Sequence, residues 1–236
     1  MQAVAEKLVE SAKTESARSR DQELVRYVGR HGVVSIRHVM EAMGVGRTAA
    51  YRRVAACMEG GLLERLDLLR SEPPVLRATR EGLRYAGLGL SVALVSSGAV
   101  DHWLRCASTA LAAERHFGPE RILSERELAF AELVEGRPIA SAEVGELSDG
   151  TPRLHRPDFA ILSKEGTIAV EVELTPKSPR RLERLILAWT RASWVAQVQY
   201  LCEPGQTRRA VERAVEKAGA KGTVAIDKAV ARGASR

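Results

Sequence analysis

The run Thr167-Ile168-Ala169-Val170-Glu171-Val172-Glu173-Leu174-Thr175-Pro176-Lys177 alternates, with Ile168, Val170, Val172 and Leu174 on one side and Ala169, Glu171 and Glu173 on the other. A period of two is that of a β-strand, so both glutamates leave one face of it. Carboxylates side by side on an otherwise apolar strand are unusual. Upstream, Leu154-His155-Arg156-Pro157-Asp158-Phe159-Ala160-Ile161-Leu162 is a second strand-like run, and Lys164-Glu165-Gly166 is a turn. Pairing the two runs as a hairpin brings Asp158 towards Glu171 and gathers two or three oxygen ligands suited to Mg2+ or Mn2+. The structural alternative is a salt-bridge site in which Arg156 and Lys177 neutralise the glutamates.

Downstream of Pro179, Leu182, Leu185, Ile186 and Trp189 follow at i, i+3, i+4 and i+7, the stripe of an amphipathic helix. Arg180, Arg181, Arg184 and Arg191 lie away from that stripe, a face that fits phosphate contact as well as plain solvation. Residues 195–201 read as a strand, 207–218 as a helix and 222–226 as a short final strand. Upstream, 88–100 reads as a connector or a buried strand and 101–117 as a helix. Ser124-Glu125-Arg126-Glu127 is a capping box opening another helix. Alternating helix and strand implies a mixed α/β sandwich. Trp189 and Trp194 read as core or strand-edge residues rather than as base-stacking platforms.

The amino-terminal half has a different rhythm. Leu24, Val25, Tyr27 and Val28 recur at helical spacing up to Gly32, and Ser35 is placed to cap a second helix over Ile36, Val39 and Met40. Gly44-Val45-Gly46 breaks that helix. A third is expected from Arg47 to Glu59, burying Ala50, Val54, Cys57 and Met58 and exposing Thr48, Arg52 and Ala55, with Arg47 and Arg53 at the flanks. Small residues with arginine on an exposed helix face permit entry into the major groove. Two short apolar runs around Arg70-Ser71-Glu72-Pro73-Pro74 then read as a hairpin that includes Arg77, and Thr79 as the cap of a following helix.

Composition narrows the classes. Of 236 residues, 45% are hydrophobic and 4% aromatic, and the net charge is +6. Lys and Arg outnumber Asp and Glu in 1–87 and in 156–236, whereas 88–155 is acidic. A polyanion is the natural partner of such basic segments. Cys57, Cys106 and Cys202 are distant and odd in number, which suggests neither a disulfide framework nor a CxxC metal site. No run approaches ~18 apolar residues and the start is not signal-like, so a cytoplasmic location without a membrane partner is expected.

Residues 21–87 resemble the winged helix-turn-helix of transcription factors and plasmid-replication proteins. The later segment resembles the PD-(D/E)xK nuclease-like superfamily, with Pro157-Asp158 as the PD element and Glu171-Val172-Glu173 in place of (D/E)xK. That resemblance implies Asp158 and Glu171 as metal ligands and Asp158, Glu171, Glu173 and Lys177 as the catalytic set. Glu173 stands where the superfamily usually has Lys, and Lys177 offers a displaced cation. Together, the winged helix, His155-Arg156-Pro157-Asp158 and Glu171-Val172-Glu173-Leu174-Thr175-Pro176-Lys177 resemble the replication-relaxation family of bacterial plasmids and mobile elements.

The expected organisation is an arm over 1–20, the winged helix-turn-helix over 21–87, a connector over 88–100, a nuclease-like α/β domain over 101–227 and a basic tail over 228–236. The implied function is sequence-directed binding of double-stranded DNA in replication, mobilisation or its transcriptional control. Arg47, Thr48, Arg52, Arg53, Arg77, Arg180, Arg181 and Arg184 are the expected DNA contacts. The alternative is an Mg2+- or Mn2+-dependent endonuclease or nickase targeted by the same winged helix. Other replication or transfer proteins are implied partners. A homodimer reading paired half-sites stays open, since no heptad seam marks it.

Overall fold

A computed structural model describes residues 18–68 and 73–229. Most of the expected arm, the tip of the first hairpin and nearly all of the basic tail lie outside the described residues. The chain divides into two compact units, Met1–Leu104 and Arg105–Arg236. Both mix helix and strand, in sheets of three, five and two strands.

In the first unit, α1 covers 18–31, followed by β1 (Val33–Ser35), α2 (Ile36–Met43), α3 (Arg47–Glu59), β2 (Leu63–Leu66), β3 (Val75–Ala78) and α4 (Arg80–Tyr85). The three strands form an antiparallel sheet in the order β1-β3-β2. Leu24, Val25 and Val28 of α1, Val39 of α2 and Ala50, Val54 and Cys57 of α3 are buried with Val33, Leu63 and Leu76 of the sheet. Met58, expected inside, is exposed, because the buried arc of α3 passes through Val54 and Cys57 and leaves position 58 on the solvent side.

Local chemistry explains the breaks in this unit. Gly44 ends α2 at φ 61, a left-handed conformation that glycine adopts without the Cβ penalty. At the start of α2, His38 Nδ1 accepts from both the N–H and the hydroxyl of Ser35, while its Nε2–H donates to the Leu104 carbonyl. Thr79 caps α4 by accepting from the Gly82 N–H at 3.0 Å and donating to the Gly61 carbonyl at 2.6 Å. The stretch 88–96 contains no strand, and Ser97–Ala99 form a 3-10 turn ahead of a helix that starts at Val100, inside the expected 88–100 connector.

The second unit is built around a five-stranded sheet. Helix α5 (Val100–Phe117), which spans the boundary at Leu104, leads into β4 (Ile122–Ser124) and α6 (Glu125–Glu135). A hairpin of β5 (Ala142–Glu146) and β6 (Pro152–His155) follows, then β7 (Phe159–Ser163), β8 (Gly166–Glu173), α7 (Pro179–Arg191), β9 (Val195–Cys202), α8 (Gln206–Lys217) and β10 (Val224–Lys228). Sheet order is β10-β9-β8-β7-β4; β4, β7 and β8 are antiparallel neighbours, and β9 and β10 run parallel to β8.

The central strand β8 presents two environments. Val170 and Val172 pack with Phe159, Ile161 and Ile122 and with Ala110 and Ala113 of α5. Ala169 faces the other way, into a core built from Leu182, Ile186 and Trp189 of α7, Val211 and Val215 of α8 and Val198 and Tyr200 of β9. The expected single run from Leu154 to Leu162 is instead two strands, β6 ending at His155 and β7 starting at Phe159. Pro157 supplies a physical reason, since it has no N–H for a ladder. The short β4 and the β5–β6 hairpin were not expected from the sequence; β5 turns only Ala142 and Val144 to the core and is exposed at Glu143, Gly145 and Glu146, too short an alternation to stand out.

Candidate functional site

Strand pairing places Phe159 opposite Val170, so Asp158 stands at the mouth of the sheet next to Glu171. Glu171 and Glu173 are both buried, on the face of β8 that looks towards Tyr200 and Cys202 of β9. Two buried carboxylates on one face are costly unless each finds compensation. Each does. His155, the last residue of β6, brings Nε2 to 2.6 Å from Glu171 Oε1. Lys177, in the loop after β8, pairs with Glu173.

The electrostatics follow from these contacts. Burial disfavours a charged His155, but the Glu171 charge and hydrogen bond outweigh it and hold the imidazole above its ordinary pKa. Burial also pushes the Glu173 carboxyl up; Lys177 opposes this, while the Glu171 and Asp158 charges add to it. Asp158 Oδ2 accepts the Val172 N–H at 2.6 Å. The Cys106 thiol of α5 also bonds to Asp158; burial first, then that carboxylate, drives the thiol pKa well up. Cys106 is therefore a protonated donor rather than a nucleophile.

Arg156 does not join the glutamate pair. Its Nε lies 3.1 Å from Oε2 of Glu132 on α6, another buried carboxylate. Glu132 also accepts from the N–H groups of Ile139, Ala140 and Ser141 and from the Ser141 hydroxyl. Neither Glu132 nor the His155–Glu171 contact was expected from the sequence. Glu132 sits in a helix pattern where a glutamate ordinarily faces solvent, and His155 lies on the far side of the Pro157 break, where no local pattern fixes its approach to β8.

Asp158 and Glu171 offer the hard oxygens that Mg2+ or Mn2+ prefers. In the folded chain these acids also have partners within the protein. Glu171 is paired with His155 and Glu173 with Lys177, while Asp158 accepts from a backbone N–H and a thiol. Among the described residues, these three acids do not form a group whose ligand atoms all lie within 4.8 Å of one another.

In the first unit, Thr48, Tyr51, Arg52 and Ala55 are exposed at i, i+3, i+4 and i+7, one face of α3 opposite Ala50, Val54 and Cys57. Arg47 is exposed and lies over the Tyr51 ring, 5.6 Å from its centroid. Tyr51 is an aromatic of this face that the sequence reading passed over. Arg53 is turned towards Asp21 of α1 at 2.6 Å. Arg77 is held by Glu64 at 3.0 Å and donates to the Ala93 carbonyl at 2.7 Å. These two of the expected DNA contacts are thus engaged within the unit. Arg180, Arg181 and Arg184 are exposed on α7 of the second unit.

Comparison with protein-family models, with curated proteins and with solved structures finds no match. No helix among the described residues is long and apolar enough to cross a membrane.

Proposed function

We propose that this is a sequence-directed DNA-binding protein of a plasmid or mobile element, acting in replication, mobilisation or its transcriptional control. In this reading the first unit is a winged helix-turn-helix and the second a PD-(D/E)xK-like platform that does not cut. The observation that carries it is α3: a helix seated by Ala50, Val54 and Cys57 that offers Thr48, Tyr51, Arg52 and Ala55 to solvent on one face. Small residues let the helix axis approach base edges, and Arg52 has the planar fork that reads guanine O6 and N7. The element order α1-β1-α2-α3-β2-β3, with a β1-β3-β2 sheet, supports the winged-helix reading.

The order α5-β4-β7-β8-α7-β9 supports the platform reading: a helix, three antiparallel strands, a helix and a strand parallel to the third. That α6 and a two-stranded hairpin interrupt β4 and β7 makes these insertions into the pattern. The endonuclease reading draws on the adjacency of Asp158 and Glu171, and the compensated acids weigh against it.

Selection of bound sites from a random duplex pool tests the proposal. One recurring motif is expected, with Arg52→Ala losing about 1–3 kcal/mol of specific binding. Binding that ignores sequence in both proteins overturns it. Plasmid cleavage with Mg2+ or Mn2+ that Asp158→Asn abolishes would instead establish the endonuclease.

A further inference from the structure

Between the β5–β6 hairpin and α7 of the second unit lies an open cleft of about 440 Å³, within the usual range for small-ligand sites, ~300–1,000 Å³. Arg184 and Arg191 line it from α7, Glu143 and Glu146 from β5, and Trp194 and Ala188 supply apolar surface. Opposite charges thus share one cleft, yet among the described residues none of these four side chains has an ion-pair partner. Elsewhere in the same unit Lys217 pairs with Glu183 and Arg208 with Glu212. A cleft whose cations and anions stand apart suits a ligand that carries an anionic group and hydrogen-bond donors together.

The hairpin is shaped for this. Residues three apart leave opposite faces of a regular strand. Between Glu143 and Glu146 the pairing with β6 shifts register at Gly145, which has φ 145. The irregularity lets both glutamates line the same cleft. Trp194, expected as a core or strand-edge residue, packs on the core with part of its surface and lines the cleft with the rest, fixed by its indole N–H, which donates to the Ser141 carbonyl at 2.9 Å. On α7, Arg180, Arg184, Leu187 and Arg191 recur at i, i+4, i+7 and i+11 and are all exposed, so the cationic track continues beyond the cleft.

We propose that this cleft binds one nucleotide of a single-stranded nucleic acid. Phosphates lie along Arg180, Arg184 and Arg191, the base rests beside Trp194, and the Glu143 and Glu146 carboxylates accept from its exocyclic amino group. A track longer than the cleft favours a strand over a free nucleotide, and phosphate plus aromatic contact is the usual chemistry of strand binding. A duplex is disfavoured because its bases are stacked inside the helix and cannot enter the cleft to lie beside Trp194. Carboxylate acceptors select bases that bear an amino group, namely cytosine, adenine and guanine, over thymine.

The test is fluorescence anisotropy of the full chain with labelled oligo(dC), oligo(dA) and oligo(dT) over a range of salt. Oligo(dC) and oligo(dA) are expected to bind about fivefold or more tighter than oligo(dT). Arg184→Gln with Arg191→Gln should weaken binding about tenfold and flatten the salt slope by ~0.7 per arginine. Glu143→Ala with Glu146→Ala should level the base preference while leaving circular dichroism unchanged. Equal binding of all three oligonucleotides, no binding at all, or indifference to the arginine changes overturns the inference. The Arg52→Ala protein serves as the control: it tests the duplex reading of the first unit and should bind the single strands as the parent does.

Discussion

His155 Nε2 lies 2.6 Å from Glu171 Oε1, on a carboxylate whose side chain is 5% exposed. The contact joins the end of β6 to the middle of β8 and gives the buried charge of Glu171 an imidazolium partner. Together with the Lys177–Glu173 pair it makes the acidic face of the sheet self-neutralised. The same carboxylates that suggest metal chemistry in the sequence therefore act in the folded chain as acceptors for protein cations.

The pH dependence of this pair has a defined sign. The His155 pKa is raised in the folded protein, above an unfolded value of about 6.5. Its contribution to stability is then complete below the unfolded value and is lost as pH rises through the folded one. Urea denaturation of the parent and of His155→Gln across neutral to alkaline pH measures it. The stability advantage of the parent should shrink with rising pH; a constant or growing difference shows that the imidazole is not charged.

His38 should respond in the opposite direction. Burial is the main reason its pKa is lowered; the hydrogen bond to the Leu104 carbonyl works against this without overcoming it. A depressed pKa contributes stability that is present above the unfolded value and lost as pH falls through the folded one. Protonation also removes the Nδ1 lone pair that accepts from Ser35, unpinning the start of α2. Hydrogen exchange at mildly acidic pH should show amides of α2 opening before those of β8, and His38→Gln should abolish the difference in acid sensitivity. Uniform opening of both regions counts against this account.

Glu132 is expected to be one of the costliest positions to truncate. Three N–H groups, a hydroxyl and the Arg156 guanidinium converge on it in a buried setting. Removing the acceptor strands them all, so Glu132→Ala should lose about 3–5 kcal/mol in denaturant unfolding. A loss under about 1 kcal/mol would mean that water replaces the carboxylate at no great cost.

How much of this was legible beforehand depended on the range of the interactions. The limits of α3, the Ser124 and Thr79 caps and the alternation of β8 are encoded within a few residues, by glycine, by cap chemistry and by a period of two, and they were readable. The approach of Asp158 to Glu171 was also readable, because a tight turn fixes hairpin register. What was hidden is long-range. Arg53 looks like Arg52 in sequence, and only the packing of α1 against α3 delivers Asp21 to one and not the other. Likewise Glu132 resembles any helix-surface glutamate until the 139–141 backbone folds over it. The pair Arg52 and Arg53 can be separated experimentally. Arg53→Ala should cost about 1 kcal/mol of stability, matched by Asp21→Ala and not additive with it, while leaving the recognised DNA motif unchanged.

Gly82 offers the clearest contest between two effects. It sits in the middle of α4, where alanine is ordinarily a better helix former by about 1 kcal/mol. Yet a Cβ there would stand 2.0 Å from the Leu62 carbonyl oxygen and 3.1 Å from Val25 Cγ1. The first neighbour is backbone, already committed to the Thr79 N–H at 3.1 Å, so it cannot swing aside as a flexible side chain would. Relief requires α4 to lift from the strand start and from α1, which opens the core at Leu83 and Val25. Overpacking should outweigh propensity, and Gly82→Ala is expected to destabilise the first unit by about 2–4 kcal/mol. Thermal and urea unfolding decide it: a variant as stable as the parent, or more so, would show that α4 is not seated against residue 62 as closely as the structure has it.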